Sequence, residues 1–128
     1  MITDKTKALM IPNLIGNMPD WPELREIADK YGLLVFEDSA DTLGGTINGK
    51  SSGAYSDMSI TSFYGSHVIN CAGNGGMLCV RESEHFERGK LLRSWGRSSS
   101  LFLDSETIEN RFNVEVDGIP YDSKFIFA

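Results

Sequence analysis

A continuous apolar run at residues 33–36 leads without a break into the polar cluster EDSAD, from Glu37 to Asp41. A strand in which apolar and polar residues do not alternate is typical of a parallel sheet that is covered on both faces. The run therefore predicts a buried strand whose carboxyl end delivers acidic side chains to one edge of a sheet.

A helix is predicted immediately before this strand. Asp20 can cap it, Glu23 stands three residues later and completes a capping box, and Gly32 can end it. A shorter apolar segment at residues 8–11 precedes the helix and predicts another strand. The order strand, helix, strand indicates an α/β fold with a mostly parallel sheet.

Weaker patterns continue this order along the chain. They predict a turn at Asn48 and Gly49, strands at 58–63 and 77–80, a helix at 83–95, and an extended segment at 112–116 before a turn at Gly118. Four good strand candidates fall short of the five or six of an average sheet. We therefore expect residues 1–128 to be one fragment of a larger domain, with its core motifs at 8–97 and a weaker C-terminal extension at 98–128.

Composition excludes several classes of function. The 128 residues are 41% apolar, which suits one globular domain, and a formal net charge of −6 argues against nucleic-acid binding. The sequence has no signal-peptide pattern and no apolar run near the about 20 residues that cross a bilayer, so we expect a cytoplasmic protein without membrane contact.

The cysteines and tryptophans are expected to pack rather than to react. Cys71 and Cys79 are eight residues apart and lack the spacing of metal ligands, so they are predicted to be reduced thiols near the core, with no metal site. Trp21 and Trp95 are predicted to be packing residues.

A second polar stretch, SFYGSHVINCAGNGG at residues 62–76, follows another predicted strand. It sets the imidazole of His67 between Ser62 and a glycine-rich turn. Because ligands gather at the carboxyl ends of strands in open α/β sheets, two strand ends with chemical groups predict a cofactor pocket. The glycines do not form GxGxxG and do not open a helix, which argues against a dinucleotide site.

Three motifs, VFEDSADTLGG, SDMSITSFYGSH and NGGMLCV, occur in this order. Together they resemble the sugar aminotransferase and dehydratase family of fold-type I pyridoxal-phosphate enzymes, the DegT/DnrJ/EryC1/StrS family. The resemblance implies a three-layer α/β domain with a mostly parallel sheet, of which this chain is part of the large domain. It also implies a pyridoxal 5'-phosphate cofactor, a nucleotide-linked keto sugar as substrate, and a homodimer in the full-length enzyme.

The resemblance assigns cofactor-binding roles to three residues. Asp38 corresponds to the carboxylate that pairs with the protonated pyridine nitrogen, which makes the ring an electron sink. Ser62 corresponds to a hydroxyl that holds the cofactor phosphate. Asp41 stands where the family commonly has glutamine or histidine near the ring hydroxyl. Without the resemblance, each of these three residues would be interpreted as a turn or capping residue.

His67 decides between the branches of the family. The aminotransferases carry a lysine here that holds the cofactor as a Schiff base, which an imidazole cannot do. A histidine at this position resembles the 3-dehydratases of nucleotide-linked 4-keto-6-deoxyhexoses, which use pyridoxamine 5'-phosphate. Histidine changes charge near neutral pH, so His67 is the expected catalytic base and then acid. Without the resemblance, a lone histidine in a loop is more often exposed to solvent than catalytic.

Some of these dehydratases bind a [2Fe–2S] cluster through cysteines, whereas others regenerate the cofactor from glutamate. The corresponding positions here hold Ser39, Ala40 and the serines at 98–100, and iron needs thiolates. The sequence therefore disfavours a cluster and favours glutamate as amino donor, in the biosynthesis of deoxysugars such as those of lipopolysaccharide or O-antigen. Two alternatives stay open: an aminotransferase relative that lost its lysine, and a truncated fragment without catalysis.

Overall fold

The computed structural model describes residues 2–101 and 107–127. It divides into two compact units, a first unit at Met1–Arg81 and a second unit at Glu82–Ala128. The elements of the first unit are β1 (Ala8–Pro12), α1 (Trp21–Tyr31), β2 (Leu34–Asp38), β3 (Thr46–Ile47), β4 (Lys50–Ser51), β5 (Met58–Ser62) and β6 (Gly76–Val80).

A four-stranded sheet with the order β1-β2-β5-β6 forms the first unit. β1, β2 and β5 run parallel to one another, and β6 lies antiparallel at the edge beside β5. The predicted α/β class with a mostly parallel sheet is therefore confirmed. The parallel arrangement brings the carboxyl ends of three strands to one edge, because parallel strands all end on the same side.

Helix α1 begins and ends where its capping residues predict. The Asp20 carboxylate accepts the Glu23 backbone N–H at 3.0 Å, and Gly32 ends the helix in the left-handed region with φ 62°. The helix buries Trp21 and Ala28 against Val35 of β2, and all three are fully buried. This contact closes the predicted strand, helix, strand unit.

An ion pair joins α1 to the start of β5. The Arg25 guanidinium lies 2.9 Å from Asp57 Oδ2, which also accepts the Val35 backbone N–H at 2.7 Å. Burial acts to raise the pKa of Asp57, but the Val35 hydrogen bond and the Arg25 charge outweigh it, so this pKa lies below its ordinary value.

The short hairpin of β3 and β4 turns at Asn48 and Gly49, as predicted, with φ of 53° and 73°. Both residues need positive φ, which asparagine and glycine adopt most easily. A 3-10 turn at Ser52–Tyr55 then leads into β5.

The second unit contains α2 (Ser83–Arg93), a short α3 (Ile108–Arg111) and the hairpin of β7 (Val114–Val116) and β8 (Ile119–Tyr121). Helix α2 ends two residues before the predicted limit, because Trp95 and Gly96 take up positive φ of 56° and 77°. No helix in the described part of the chain has the length and apolar character that a bilayer crossing needs.

Three predictions about burial were wrong. Cys71 and Cys79 are free thiols, but both are exposed: Cys79 lies on the edge strand β6, and Cys71 lies in the loop before it. Trp95 is 76% exposed, since the backbone leaves the helix there and the indole lies 5.2 Å from the Arg97 guanidinium. The prediction for Trp21 is confirmed.

Candidate active site

Polar side chains follow the carboxyl ends of three adjacent parallel strands. Asn13 follows β1, Asp38 ends β2 and Ser62 ends β5. The pairing of Pro12 with Asp38, and of Asp38 with Ile60, sets these ends side by side. The expected edge with chemical groups is therefore present, with three strand ends rather than the two that the sequence indicated.

Asp38 is half-buried and fixed through its main chain and one carboxylate oxygen. Its carbonyl accepts the Asn13 backbone N–H at 2.8 Å, and its Oδ1 accepts the Ala40 backbone N–H at 3.0 Å. The second carboxylate oxygen receives no hydrogen bond from residues 2–101 or 107–127. An oriented carboxylate thus keeps one acceptor for a ligand.

Ser62 lies on the same face of the sheet as Asp38. Asp38 is paired with Ile60, and Ser62 is two residues further along β5, so all three side chains share a face. The Ser62 hydroxyl accepts the Tyr64 backbone N–H at 3.2 Å. Its proton is free to be donated to an anionic oxygen, because a hydroxyl can accept and donate at once.

Asp41 and His67 come together from different loops. Asp41 lies in the turn after β2, His67 in the loop after β5, and Asp41 Oδ1 is 3.8 Å from His67 Nε2. The His67 side chain is 23% exposed and that of Asp41 43%. The two sequence motifs therefore meet in space, and the acidic group faces the imidazole directly.

The imidazole of His67 is further oriented by Tyr64. The rings meet edge to face, with centroids 5.8 Å apart and planes at 72°, and the backbone N–H of His67 donates to the Tyr64 carbonyl at 3.0 Å. His67 Nδ1 is buried and has no hydrogen-bond partner in the described residues. One ring nitrogen thus faces Asp41, and the other has an open lone pair or proton.

A small pocket lies between the turn after β2 and the loop after β5. Apolar side chains of Leu43, Phe63 and Val68 line it, together with Ser62 and Thr61. Asp38 and Asp41 contribute negative charge to this edge of the sheet. Such an edge suits a ligand with a cationic ring or amine, since opposite charges attract most strongly where water is partly excluded.

Sequence reasoning missed one cluster. Glu37 is 2% exposed, and Asn13, another buried residue, donates to its Oε1 at 2.9 Å. Trp21 Nε1 in turn donates to Asn13 Oδ1 at 2.8 Å. The position of Asn13 directly after β1 could have identified it, by the rule on strand ends that identified Asp38 and Ser62.

The sequence matches the profile of the DegT/DnrJ/EryC1/StrS aminotransferase family over residues 1–114. It is 35% identical to the lipopolysaccharide biosynthesis protein RfbH of Salmonella typhimurium, over 99% of this chain and 30% of that protein. It is 32% identical to a dTDP-4-dehydro-2,6-dideoxy-D-glucose 3-dehydratase of Saccharopolyspora spinosa, over 99% of this chain and 28% of that protein. A dTDP-3-amino-3,4,6-trideoxy-alpha-D-glucose transaminase of Streptomyces venezuelae is 38% identical, over 88% of this chain and 30% of the transaminase.

Solved structures show the same fold. The aminotransferase from Psychrobacter cryohalolentis superposes with a TM-score of 0.75 and 25% identity, over 98% of this chain and 30% of that one. NtdA from Bacillus subtilis, solved with bound cofactor PMP, gives a TM-score of 0.64 and 28% identity, over 70% of this chain and 20% of that one. The chain spans less than a third of the length of these relatives.

Proposed function

Because the chain belongs to the DegT/DnrJ/EryC1/StrS aminotransferase family, we propose that it carries the catalytic half-site of a 3-dehydratase. The substrate is a nucleotide-linked 4-keto-6-deoxyhexose, which loses its C3 hydroxyl. The observation that carries this proposal is the imidazole of His67, held in the loop after β5 by Asp41 and Tyr64.

The arrangement of the strand ends fits pyridoxamine 5'-phosphate. The oxygen of Asp38 that lacks a partner in the described residues can accept a hydrogen bond from the protonated pyridine nitrogen, and the Ser62 hydroxyl can donate a hydrogen bond to the phosphate. When bound, this cofactor supplies an amine for the sugar ketone and a ring that withdraws electrons from the adjacent carbon. Asp38 and Ser62 come from neighbouring strands and share a face, so they can bind two parts of one flat molecule.

His67 moves the proton in this proposal. The Asp41 carboxylate favours the tautomer with the proton on Nε2, which leaves the lone pair on Nδ1. Nδ1 is buried and without a partner in the described residues, so it can take up a proton and later return it to the departing hydroxyl. Asp41 thereby orients the base, which is a further role beside the predicted contact with the cofactor.

Transamination is the competing function. The transaminase of Streptomyces venezuelae is more similar in sequence, at 38% identity, than the 3-dehydratase, at 32%. A transaminase of this kind would replace an oxygen on the sugar by an amine and would leave the neighbouring hydroxyl in place. The products therefore distinguish the two functions. The glutamate donor, the homodimer of the longer protein and the cytoplasmic location remain predictions.

The test supplies the chain with pyridoxamine 5'-phosphate, glutamate and dTDP-4-keto-6-deoxyglucose, and the products are identified by mass spectrometry. We expect the 3-deoxy-4-keto sugar, with 2-oxoglutarate and ammonium as the products of glutamate. The His67→Asn variant, which keeps a polar side chain but has no base, should form the 3-deoxy sugar at least about 100-fold more slowly. An amino sugar that keeps its C3 hydroxyl would overturn the proposal in favour of transamination, and a folded chain without product would favour a non-catalytic fragment.

A further inference from the structure

Glu37 is a buried carboxylate that the proposed chemistry does not use. It stands directly before Asp38 on β2, so the two side chains lie on opposite faces of the sheet. Asp38 faces the candidate site with Ser62, whereas Glu37 is 2% exposed on the other face. Two adjacent carboxylates thus occupy very different surroundings.

Neutral donors surround the Glu37 carboxylate. Its Oε1 accepts from Asn13 Nδ2 at 2.9 Å, from Ser39 Oγ at 2.6 Å and from the hydroxyl of Ser52. Its Oε2 accepts from Ser56 Oγ at 3.2 Å. Hydrogen bonds to an ionised acceptor are stronger than neutral ones, and a buried carboxylate needs several of them to offset its lost hydration.

Two of these donors, Ser39 and Asn13, connect the Glu37 carboxylate to the segments beside Asp38. Ser39 donates its backbone N–H to the Ile60 carbonyl at 2.9 Å, and its own carbonyl accepts the Thr42 N–H at 3.2 Å. Asn13 donates its side-chain amide to Glu37 and Ser39, and its backbone N–H to the Asp38 carbonyl. The carboxylate therefore holds both segments that fix Asp38 in place.

We propose that Glu37 is a positioning residue, which holds the turn at 39–42 and Asn13 and thereby sets Asp38 and Asp41 for the cofactor. The catalytic consequence rests on the proposed function, but the positioning itself is a property of the chain without cofactor. Ser52 and Ser56 hold the 3-10 turn at Ser52–Tyr55 to the same carboxylate. These two serines do not belong to the turn at 39–42, so their substitution provides an internal control for the loss of a hydrogen bond to Glu37.

The test compares Ser39→Ala with Ser56→Ala. Each substitution removes one hydroxyl bond to Glu37, but only Ser39 belongs to the turn. Ser39→Ala also removes the acceptor of one Asn13 amide bond. Hydrogen exchange of the backbone amides is followed by NMR in the cofactor-free chain. We expect the Ala40 and Thr42 amides to exchange at least about tenfold faster in Ser39→Ala, because the loss of one hydrogen bond of average strength already has an effect of about this size. Ser56→Ala should leave both amides unchanged, and Ser39→Thr, which keeps the hydroxyl, should restore the original rates.

Affinity for pyridoxamine 5'-phosphate is the second readout. Ser39→Ala should bind it about tenfold more weakly, and Ser56→Ala and Ser39→Thr should bind it like the original chain. Equal effects of the two alanine variants on exchange and affinity, or unchanged exchange in Ser39→Ala, would overturn the positioning role. If the original chain fails to bind but the exchange pattern is as expected, the cofactor proposal fails and the positioning of the turn stands.

Discussion

The turn after β2 and the loop after β5 carry the two halves of the candidate site, and they are held in different ways. The turn at residues 39–42 is bonded to Asn13 after β1, to β5 and to the buried Glu37 carboxylate. The loop at residues 63–75 is bonded mainly to itself, as in the bonds of Phe63 N–H to the Gly75 carbonyl and of Cys71 N–H to the Phe63 carbonyl. The pair of Asp41 and His67 spans the two segments.

This difference suggests that the turn after β2 serves cofactor binding and that the loop after β5 serves proton transfer. A rigid turn can keep Asp38 aligned with a cofactor ring, because its neighbours leave it little freedom. A loop that is closed on itself can adjust His67 without disturbing the sheet, since local opening costs least where few bonds reach the core. Substitutions of the buried groups that anchor the turn should therefore change stability, whereas substitutions of the Asp41 and His67 pair should change mainly chemistry.

The largest expected effect is that of Glu37→Ala. It leaves Asn13, Ser39 and other buried donors without their acceptor, so we expect the free energy of unfolding to fall by about 3 kcal/mol or more. Urea unfolding is followed by the fluorescence of buried Trp21, with Trp95→Phe as the common background. A loss under about 1 kcal/mol would contradict the view that the turn is anchored through this carboxylate.

Asp57→Asn should have a smaller effect that depends on pH. The pKa of Asp57 is lower in the folded chain than in the unfolded chain, so its ionised form stabilises the fold above the unfolded value, about 4. We expect the original chain to be more stable than the variant by about 1 kcal/mol at pH 7. The difference should vanish as pH falls through the folded pKa, below 4. A difference that does not shrink as pH falls below the unfolded value would mean that the charge of Asp57 is not its source.

His67→Asn should separate stability from chemistry. The side chain lies on the loop and pairs with the partly exposed Asp41 of the turn at 3.8 Å, so the free energy of unfolding should change by less than about 0.5 kcal/mol. Formation of the 3-deoxy sugar should fall by at least about 100-fold, the usual contribution of a general base. A His67→Asn variant with a lower free energy of unfolding but unchanged formation of the 3-deoxy sugar would contradict the roles assigned to the turn and the loop.

Asp41→Asn should have the smallest effect on stability, since a partly exposed pair at 3.8 Å contributes little. We expect turnover to fall about tenfold, because an amide can turn its NH2 group toward His67 Nε2 and then no longer favours the tautomer with the lone pair on Nδ1. Initial rates of formation of the 3-deoxy sugar measure this effect. Unchanged turnover would show that Asp41 does not act through His67.

The sequence predicted those features that depend on neighbouring residues. The Asp20 cap, the Gly32 stop and the turn at Asn48 and Gly49 are set by local backbone geometry, and the structure confirms them. The approach of Asp41 to His67 depends on how two distant loops close. No local pattern encodes that distance.

The burial network around Glu37 escaped prediction for the same reason. In the sequence, Glu37 and Asp38 look like one acidic cluster at the end of a strand. Successive side chains of a strand point to opposite faces of the sheet, so the two carboxylates are in fact separated. The partners of Glu37 include Asn13, which follows β1, and Ser56, which follows the 3-10 turn, at sequence separations of 24 and 19 residues. The exposure of Cys79 likewise follows from the place of β6 at the edge of the sheet.

Calorimetric titration of the chain with pyridoxamine 5'-phosphate tests most directly whether the strand ends form a cofactor half-site. We predict saturable binding that is lost in both Asp38→Asn and Ser62→Ala, with hydrogen exchange in the core unchanged. Absence of binding by the well-folded original chain, or binding that survives both substitutions, would contradict the account.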